Sequence, residues 1–149
     1  MKYLLEPEVS GSLGRDSVLD TSVHPPVVDH VDYQVHGWCG DDLLESFPVF
    51  VASPELVNAL AAEGITGFID RGSGVISFDE QCRSREHAWE RVKDFRWIEV
   101  GGVWSEDLSM REGLLAVSGR AWEVLCRFKL DNCTVTEAPD PELVERSIG

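Results

Sequence analysis

Twice in this chain a short apolar run stops at a serine and gives way to apolar residues at helical spacing. In the first instance Phe47–Ala52 reads as a strand, and Ser53 is a good helix N-cap. Pro54 then stands at the first helical position, where its missing N–H removes no bond. Leu56, Val57, Leu60 and Ala61 fall on one face and Gly64 supplies a stop, so the pattern predicts a helix over Pro54–Glu63, followed by a short strand over Ile65–Asp70. In the second instance Leu114–Val117 is the strand and Ser118 the cap. Ala121, Trp122, Val124, Leu125 and Phe128 form the apolar face of a helix over Gly119–Phe128, and Cys133–Thr136 is the closing strand. Many strand-helix-strand passages share this grammar; read as a repeat, it is an internal strand-helix-strand duplication. Two copies cannot build a solenoid. They point to an α+β fold in which two or three helices, with Leu56, Leu60, Trp122 and Leu125 inward, pack on a mixed, mainly antiparallel sheet.

The remaining segments fit around these two units. Tyr3–Val9 reads as a strand, Ser10–Gly14 as a turn, and Ser22–Pro26, with its Pro-Pro pair, as extended or looped. Near-alternation makes Val27–Val35 a half-buried strand, and Gly37–Asp42 a turn that leads through Leu43–Ser46. Arg71–Gly74 reads as a hairpin turn into Val75–Phe78, and Phe95–Val100 as a strand ended by Gly101 and Gly102. Asp79–Lys93 reads as helical, with Cys82, Ala88, Trp89 and Val92 inward. Glu137–Gly149, acidic and holding Pro139 and Pro141, reads as a tail or a frayed last helix. No linker divides the 149 residues, so a single domain over 1–149 is expected, with the acidic tail from about 137. No apolar run is long enough for a transmembrane helix, and the first residues lack the apolar stretch of a signal peptide. Four cysteines without a CxxC pair then read as reduced thiols of a cytoplasmic protein.

Charge narrows the function. The net charge is −14, which disfavours phosphate backbones and anionic lipid, so neither nucleic acid nor a membrane is expected as partner. From Asp16 to Asp70 there is no Lys or Arg, while Asp16, Asp20, Asp29, Asp32, Asp41, Asp42, Glu45, Glu55, Glu63 and Asp70 contribute −10 of that total. Acidic solubility accounts for part of this; the sharper reading is an anionic face shaped for a cationic partner. Trp38 with Asp41, Asp42 and Glu45 combines an aromatic anchor with carboxylates, and Trp104 with Glu106 and Asp107 repeats the mixture. These seven are the expected partner-binding residues. Glycine-flanked aspartates also cap turns, so a structural role competes at Asp41 and Asp42.

Catalytic chemistry is poorly supported. His24, His30, His36 and Cys39 lie at spacings a metal tolerates, yet no CxxC, HxH or HExxH pattern backs them. Surface histidines, and core cysteines at Cys82, Cys126 and Cys133, account for them better. Cys39 beside a histidine has no third group to orient it. Carboxylates on the adjacent Asp41 and Asp42 diverge, and Glu45 adds no calcium-loop spacing. Arg71–Gly74 lacks the lysine of a phosphate-binding loop. No catalytic residue, metal or cofactor is expected, so a non-enzyme is the first reading. The alternative is a small cytosolic α+β enzyme or ligand-binding domain with its site around His36–Glu45.

Three segments resemble a family: Tyr3–Gly11 (YLLEPEVSG), Gly37–Pro48 (GWCGDDLLESFP) and Val117–Leu125 (VSGRAWEVL). Together they resemble bacterial immunity proteins, the cytosolic antidotes encoded beside polymorphic or contact-dependent toxins, over most of the chain from Tyr3 to about Val135. Trp122 departs from the smaller aliphatic residue the family pattern has there. The resemblance implies a protein that binds a cognate toxin with a basic surface and occludes its active site or substrate path. It also implies a toxin with a cytosolic target, such as a nuclease or a nucleotide-modifying enzyme.

Overall fold

Both serine junctions cap helices. The structure, a computed structural model, describes residues 2–23, 26–38, 40–79, 85–101 and 103–138. In chain order the strands are β1 (Lys2–Glu6), β2 (Gly11–Leu13), β3 (Val18–Asp20), β4 (Val27–His30), β5 (Tyr33–Val35), β6 (Leu43–Ser46), β7 (Val49–Ala52), β8 (Phe68–Gly72), β9 (Ile76–Phe78), β10 (Arg96–Val100), β11 (Leu108–Arg111), β12 (Leu114–Ser118) and β13 (Thr134–Ala138). The helices are α1 (Pro54–Ala62), α2 (Arg85–Val92) and α3 (Gly119–Leu125). Ser53 Oγ accepts the Leu56 N–H at 3.3 Å, and Ser118 Oγ accepts the Ala121 N–H at 3.1 Å. Each satisfies one of the donors that a helix start leaves unpaired. Past the end of α1, Gly64 takes φ +66°, a left-handed conformation that costs a residue without Cβ nothing.

The two units also repeat one topology. In the sheet ordered β6-β7-β10-β8, α1 carries the chain from β7 over β10 to β8. In the sheet ordered β11-β12-β1-β13, α3 carries it from β12 over β1 to β13. Each unit opens with an antiparallel hairpin, and each middle strand runs antiparallel to both of its neighbours. The middle strand comes from after the unit in one case (β10) and from the start of the chain in the other (β1).

Alternation along β7 divides the interior. Phe50 and Ala52 face one core with Leu56, Leu60, Val124 and Leu125; Val49 and Val51 face a second with Tyr33, Val35, Val92 and Phe95. A strand covered on both faces has no polar side, which is why the sequence here is an unbroken apolar run. The helices α1 and α3 meet over the first core, and Arg120 of α3 donates to the carbonyls of Glu63 (3.0 Å) and Gly64 (2.9 Å) at the C-terminal end of α1.

The α+β class holds, but among the described residues the β structure is divided among four sheets, the smaller two ordered β2-β5-β9 and β3-β4. Val27–Val35 breaks at Val31 and Asp32, because β4 pairs with β3 while β5 pairs with β2 and β9. Ser10–Gly14 is not simply a turn: Gly11–Leu13 forms β2, and a Cβ on Gly11 would stand 2.0 Å from the Gln34 carbonyl oxygen. Arg71–Gly74 closes no hairpin, since β8 pairs with β10 whereas β9 pairs parallel with β5. The strand expected at Ile65–Asp70 starts later, at Phe68, and Ile65 instead fills the first core. Leu56, Leu60 and Leu125 are buried, but Trp122 is only half-buried, its ring lying 5.7 Å from that of Tyr3. Trp89 is 42% exposed and meets Phe78 edge-on, while Ala88 and Val92 of the same helix face inward. Glu137 and Ala138 belong to β13 rather than to a tail; residues 139–149, Cys39 and Cys82 lie outside the described residues.

Candidate functional site

The N-terminus of α1, the turn before β6 and the end of α2 enclose a cleft of about 360 Å³. Trp38 and Phe95 line it, their rings 6.1 Å apart and nearly perpendicular. Asp42, Glu55, Glu90 and Asp94 supply its carboxylates, of which Glu55, Glu90 and Asp94 are exposed. Arg91 is the basic residue of the lining, its guanidinium 4.9 Å from the centre of the Trp38 ring. Lys93 forms an ion pair with Glu90 at 3.1 Å. The remaining balance is negative, and an aromatic face backs it. Such a site attracts a guanidinium or ammonium group by long-range charge.

The two aspartates that the sequence offers as partner contacts are largely spoken for. Asp41 is fully buried. Its carboxylate accepts the N–H groups of Asp131 (3.1 Å) and Asn132 (2.8 Å) and the side-chain amide of Asn132 (3.1 Å), and its carbonyl accepts Trp38 Nε1–H at 2.9 Å. Asp42 accepts the Lys129 N–H at 2.8 Å and returns its own N–H to the Lys129 carbonyl at 2.9 Å. Together they stitch the turn before β6 to the turn after α3. Asp41 is therefore corrected from a surface contact to a buried brace, because the backbone donors between α3 and β13 need an acceptor there. Asp42 keeps a place on the cleft rim.

Glu45 lies apart from the cleft. It is half-buried on β6, and burial, reinforced by the Glu6 carboxylate, pushes its carboxyl up to about 7. Cys133 shares this environment: burial, then the charges of Asp41 and Glu45, push the thiol up to about 11, which makes it a poor nucleophile. It is half-buried and packs against the first core, whereas Cys126 is exposed and is no core cysteine.

Trp104, Glu106 and Asp107 form a clasp. Trp104 already has the Lys2 ammonium 5.0 Å and the Arg111 guanidinium 4.5 Å from its ring centre. Lys2 also donates to the carbonyls of Trp104 (2.5 Å) and Glu106 (2.6 Å). Asp107 accepts from the Thr66 N–H (2.9 Å), the Ser118 hydroxyl (2.7 Å) and the Arg120 guanidinium (2.6 Å). Burial opposes its charge, but these donors outweigh it and hold the carboxyl well below the usual carboxylate range. Asp107 too is corrected, from a partner contact to the joint between the two units.

Sequence reasoning missed Glu55, Glu90 and Asp94. The run of acids without a base included Glu55, but α2 joins the cleft only through tertiary packing. Among the described residues no three His, Cys, Asp or Glu are placed to hold a metal ion, and no helix is long and apolar enough to cross a membrane. Comparison of the chain with family models, with curated proteins and with solved structures returns no match.

Proposed function

We propose that this chain is an immunity protein, an antitoxin that acts in the cytoplasm by binding a cognate toxin domain and covering its active site or substrate path, a neutralisation that itself needs no catalytic step. The observation that carries this reading is the Trp38 cleft, in which exposed carboxylates from α1, α2 and the turn after α2 stand beside Trp38. It agrees with the base-free acidic stretch Asp16–Asp70 and with the resemblance of the three segments described above. A toxin that works on nucleic acid or nucleotides needs a basic cleft. An inhibitor with this surface offers carboxylates where the substrate offers phosphates, so attraction steers the encounter and mismatched partners are rejected.

The test is co-expression with the product of the adjacent gene. A stable complex whose association slows as salt rises, and whose toxicity is relieved, supports the reading. Glu55→Gln, Glu90→Gln and Asp94→Asn together should slow association roughly tenfold and flatten its salt dependence. Failure of the neighbouring product to bind, or an unchanged on-rate in the triple variant, removes the toxin or the cleft respectively.

A further inference from the structure

Ser12, His36 and Asp79 come from three separate stretches of chain and meet on the β2-β5-β9 sheet. Ser12 sits on β2, whose pairing sets it opposite Gln34, so His36 lies diagonally across from it. The parallel pairing of β5 with β9 matches Val35 to Phe78, which brings the next residues, His36 and Asp79, side by side. Asp79 is anchored there by its N–H, which donates to the Val35 carbonyl at 2.9 Å. His36 Nε2 stands 3.0 Å from Ser12 Oγ, and His36 Nδ1 stands 3.8 Å from an Asp79 carboxylate oxygen. A carboxylate on the Nδ1 side favours the tautomer with its proton there, which leaves Nε2 as the acceptor for the hydroxyl. Ser12 is exposed and opens on a hollow of about 280 Å³ that Val9, Gly11 and Gly37 help to line.

We propose that Ser12 is a nucleophile with His36 as its general base and Asp79 as a positioning residue, and that this relay takes the acyl group from small activated esters. It is independent of the Trp38 cleft. As Ser12 Oγ bonds to the acyl carbon, its proton passes to His36 Nε2 and the carbonyl π pair moves onto oxygen. That pair then returns, the bond to the leaving group breaks, and His36 gives the leaving oxygen its proton. Water attacks the acyl-Ser12 in the same way, giving a proton to His36 that returns to Ser12 Oγ as the carboxylic acid leaves.

The substrate class follows from what the neighbouring backbone is doing. The N–H groups of His36 and Gly37 both donate to the Ser10 carbonyl, at 2.8 and 3.0 Å, and so do not stabilise an oxyanion. One such donor is worth ~10²–10³ in rate, whereas a positioned base contributes ~10²–10⁴. Esters with a stable leaving group, such as aryl esters, are within reach of the base alone; peptides are not. The hollow lies at the small end of ligand sites, so the acyl group is short.

The experiment is incubation of the full chain with p-nitrophenyl acetate, following p-nitrophenolate release and mapping the acetyl group by peptide mass spectrometry. The expected result is acetyl on Ser12, with Ser12→Ala and His36→Gln each lowering release at least ~10-fold. Asp79→Asn should lower kcat with KM unchanged, and Asp79→Glu should recover part of the loss, which a merely structural role would not do. Acetyl found only on lysines, or release by the Ser12→Ala chain at the wild-type rate, overturns the proposal. The mapping uses the unaltered chain, so it decides the matter even where a variant fails to fold.

Discussion

Trp38 and Trp104 stand in similar company in the sequence, each followed by two or three acids, and the fold makes opposite use of them. At Trp38 the ring lies in a cleft with one guanidinium over it, and the exposed acids beside it come from elsewhere, from α1, α2 and the turn after α2. At Trp104 two cations of the same chain lie against the ring, and the carboxylate of Asp107 is enclosed by Thr66, Ser118 and Arg120. An aromatic residue beside acids thus describes both a surface open to a partner and a joint closed on itself. The chain's own donors claim Asp41 and Asp42 as they claim Asp107; what separates the two sites is that exposed acids from elsewhere in the fold gather beside Trp38.

The largest effect should come from Asp41, the acid that composition alone would place on the surface. Asp41→Ala empties a fully buried position and leaves the Asp131 and Asn132 donors without their acceptor, and should cost about 3 kcal/mol by chemical denaturation. A loss within about 0.5 kcal/mol, the size usual for surface positions, would return Asp41 to the list of partner contacts.

Asp107→Asn should cost about 1–3 kcal/mol at neutral pH and also change the acid limb of stability. Because the folded carboxyl ionises below its unfolded value, the wild-type contribution is complete above pH ~4 and fades as pH falls through the lower folded value. The variant should lack that limb. Denaturation measured from pH 6 down to pH 2 gives both results, and an unchanged limb would make the Trp104 cluster less of a joint than its geometry states.

Glu45→Gln runs in the opposite sense. With its folded value up at about 7, the wild-type acid contributes stability below pH ~4.5 that is lost as pH rises through 7. The amide should therefore be the more stable chain above neutrality, with no difference expected near pH 4. Since the group is only half-buried, a gain on the order of 1 kcal/mol is expected, or about 2–4 °C in Tm for a chain this size. A variant that melts with the wild type at pH 8 would contradict the burial of the Glu45 charge and its crowding with Glu6.

The smallest effect on the fold should come from the cleft itself. Changing Glu55, Glu90 and Asp94 to amides should leave stability within about 0.5 kcal/mol, because all three are exposed. Against a basic partner the same triple variant should show its change in the on-rate. The contrast sharpens if amides at Asp41 and Asp42 instead lower stability first.

Local periodicity carried most of the secondary structure. The serine caps, Pro54 and the stripes of Leu56, Leu60, Val124 and Leu125 each depend on neighbours within a turn or two, so the sequence could express them. The duplication was legible for the same reason, since each strand-helix junction is written locally. The sites were less legible. Trp38 and Asp42 were named and do line the cleft, but half of its acids arrive on α2 and the turn after it, from a different part of the chain. Ser12 carried no signal at all: a serine flanked by glycine and leucine is ordinary until two strand registers bring His36 and Asp79 to it.

By itself, then, the sequence determined where α1 and α3 begin, which of their faces are apolar, and that the chain is strongly acidic. Those properties follow from backbone capping, side-chain periods and net charge, all of which act over short distances or as sums. Tertiary structure decided which acids face solvent. The donors that claim Asp41 lie 91 residues further along the chain at Asn132, and those that claim Asp107 lie 41 residues back at Thr66. A carboxylate's role depends on whether such donors arrive, because an ionised group is buried only where hydrogen bonds replace its water.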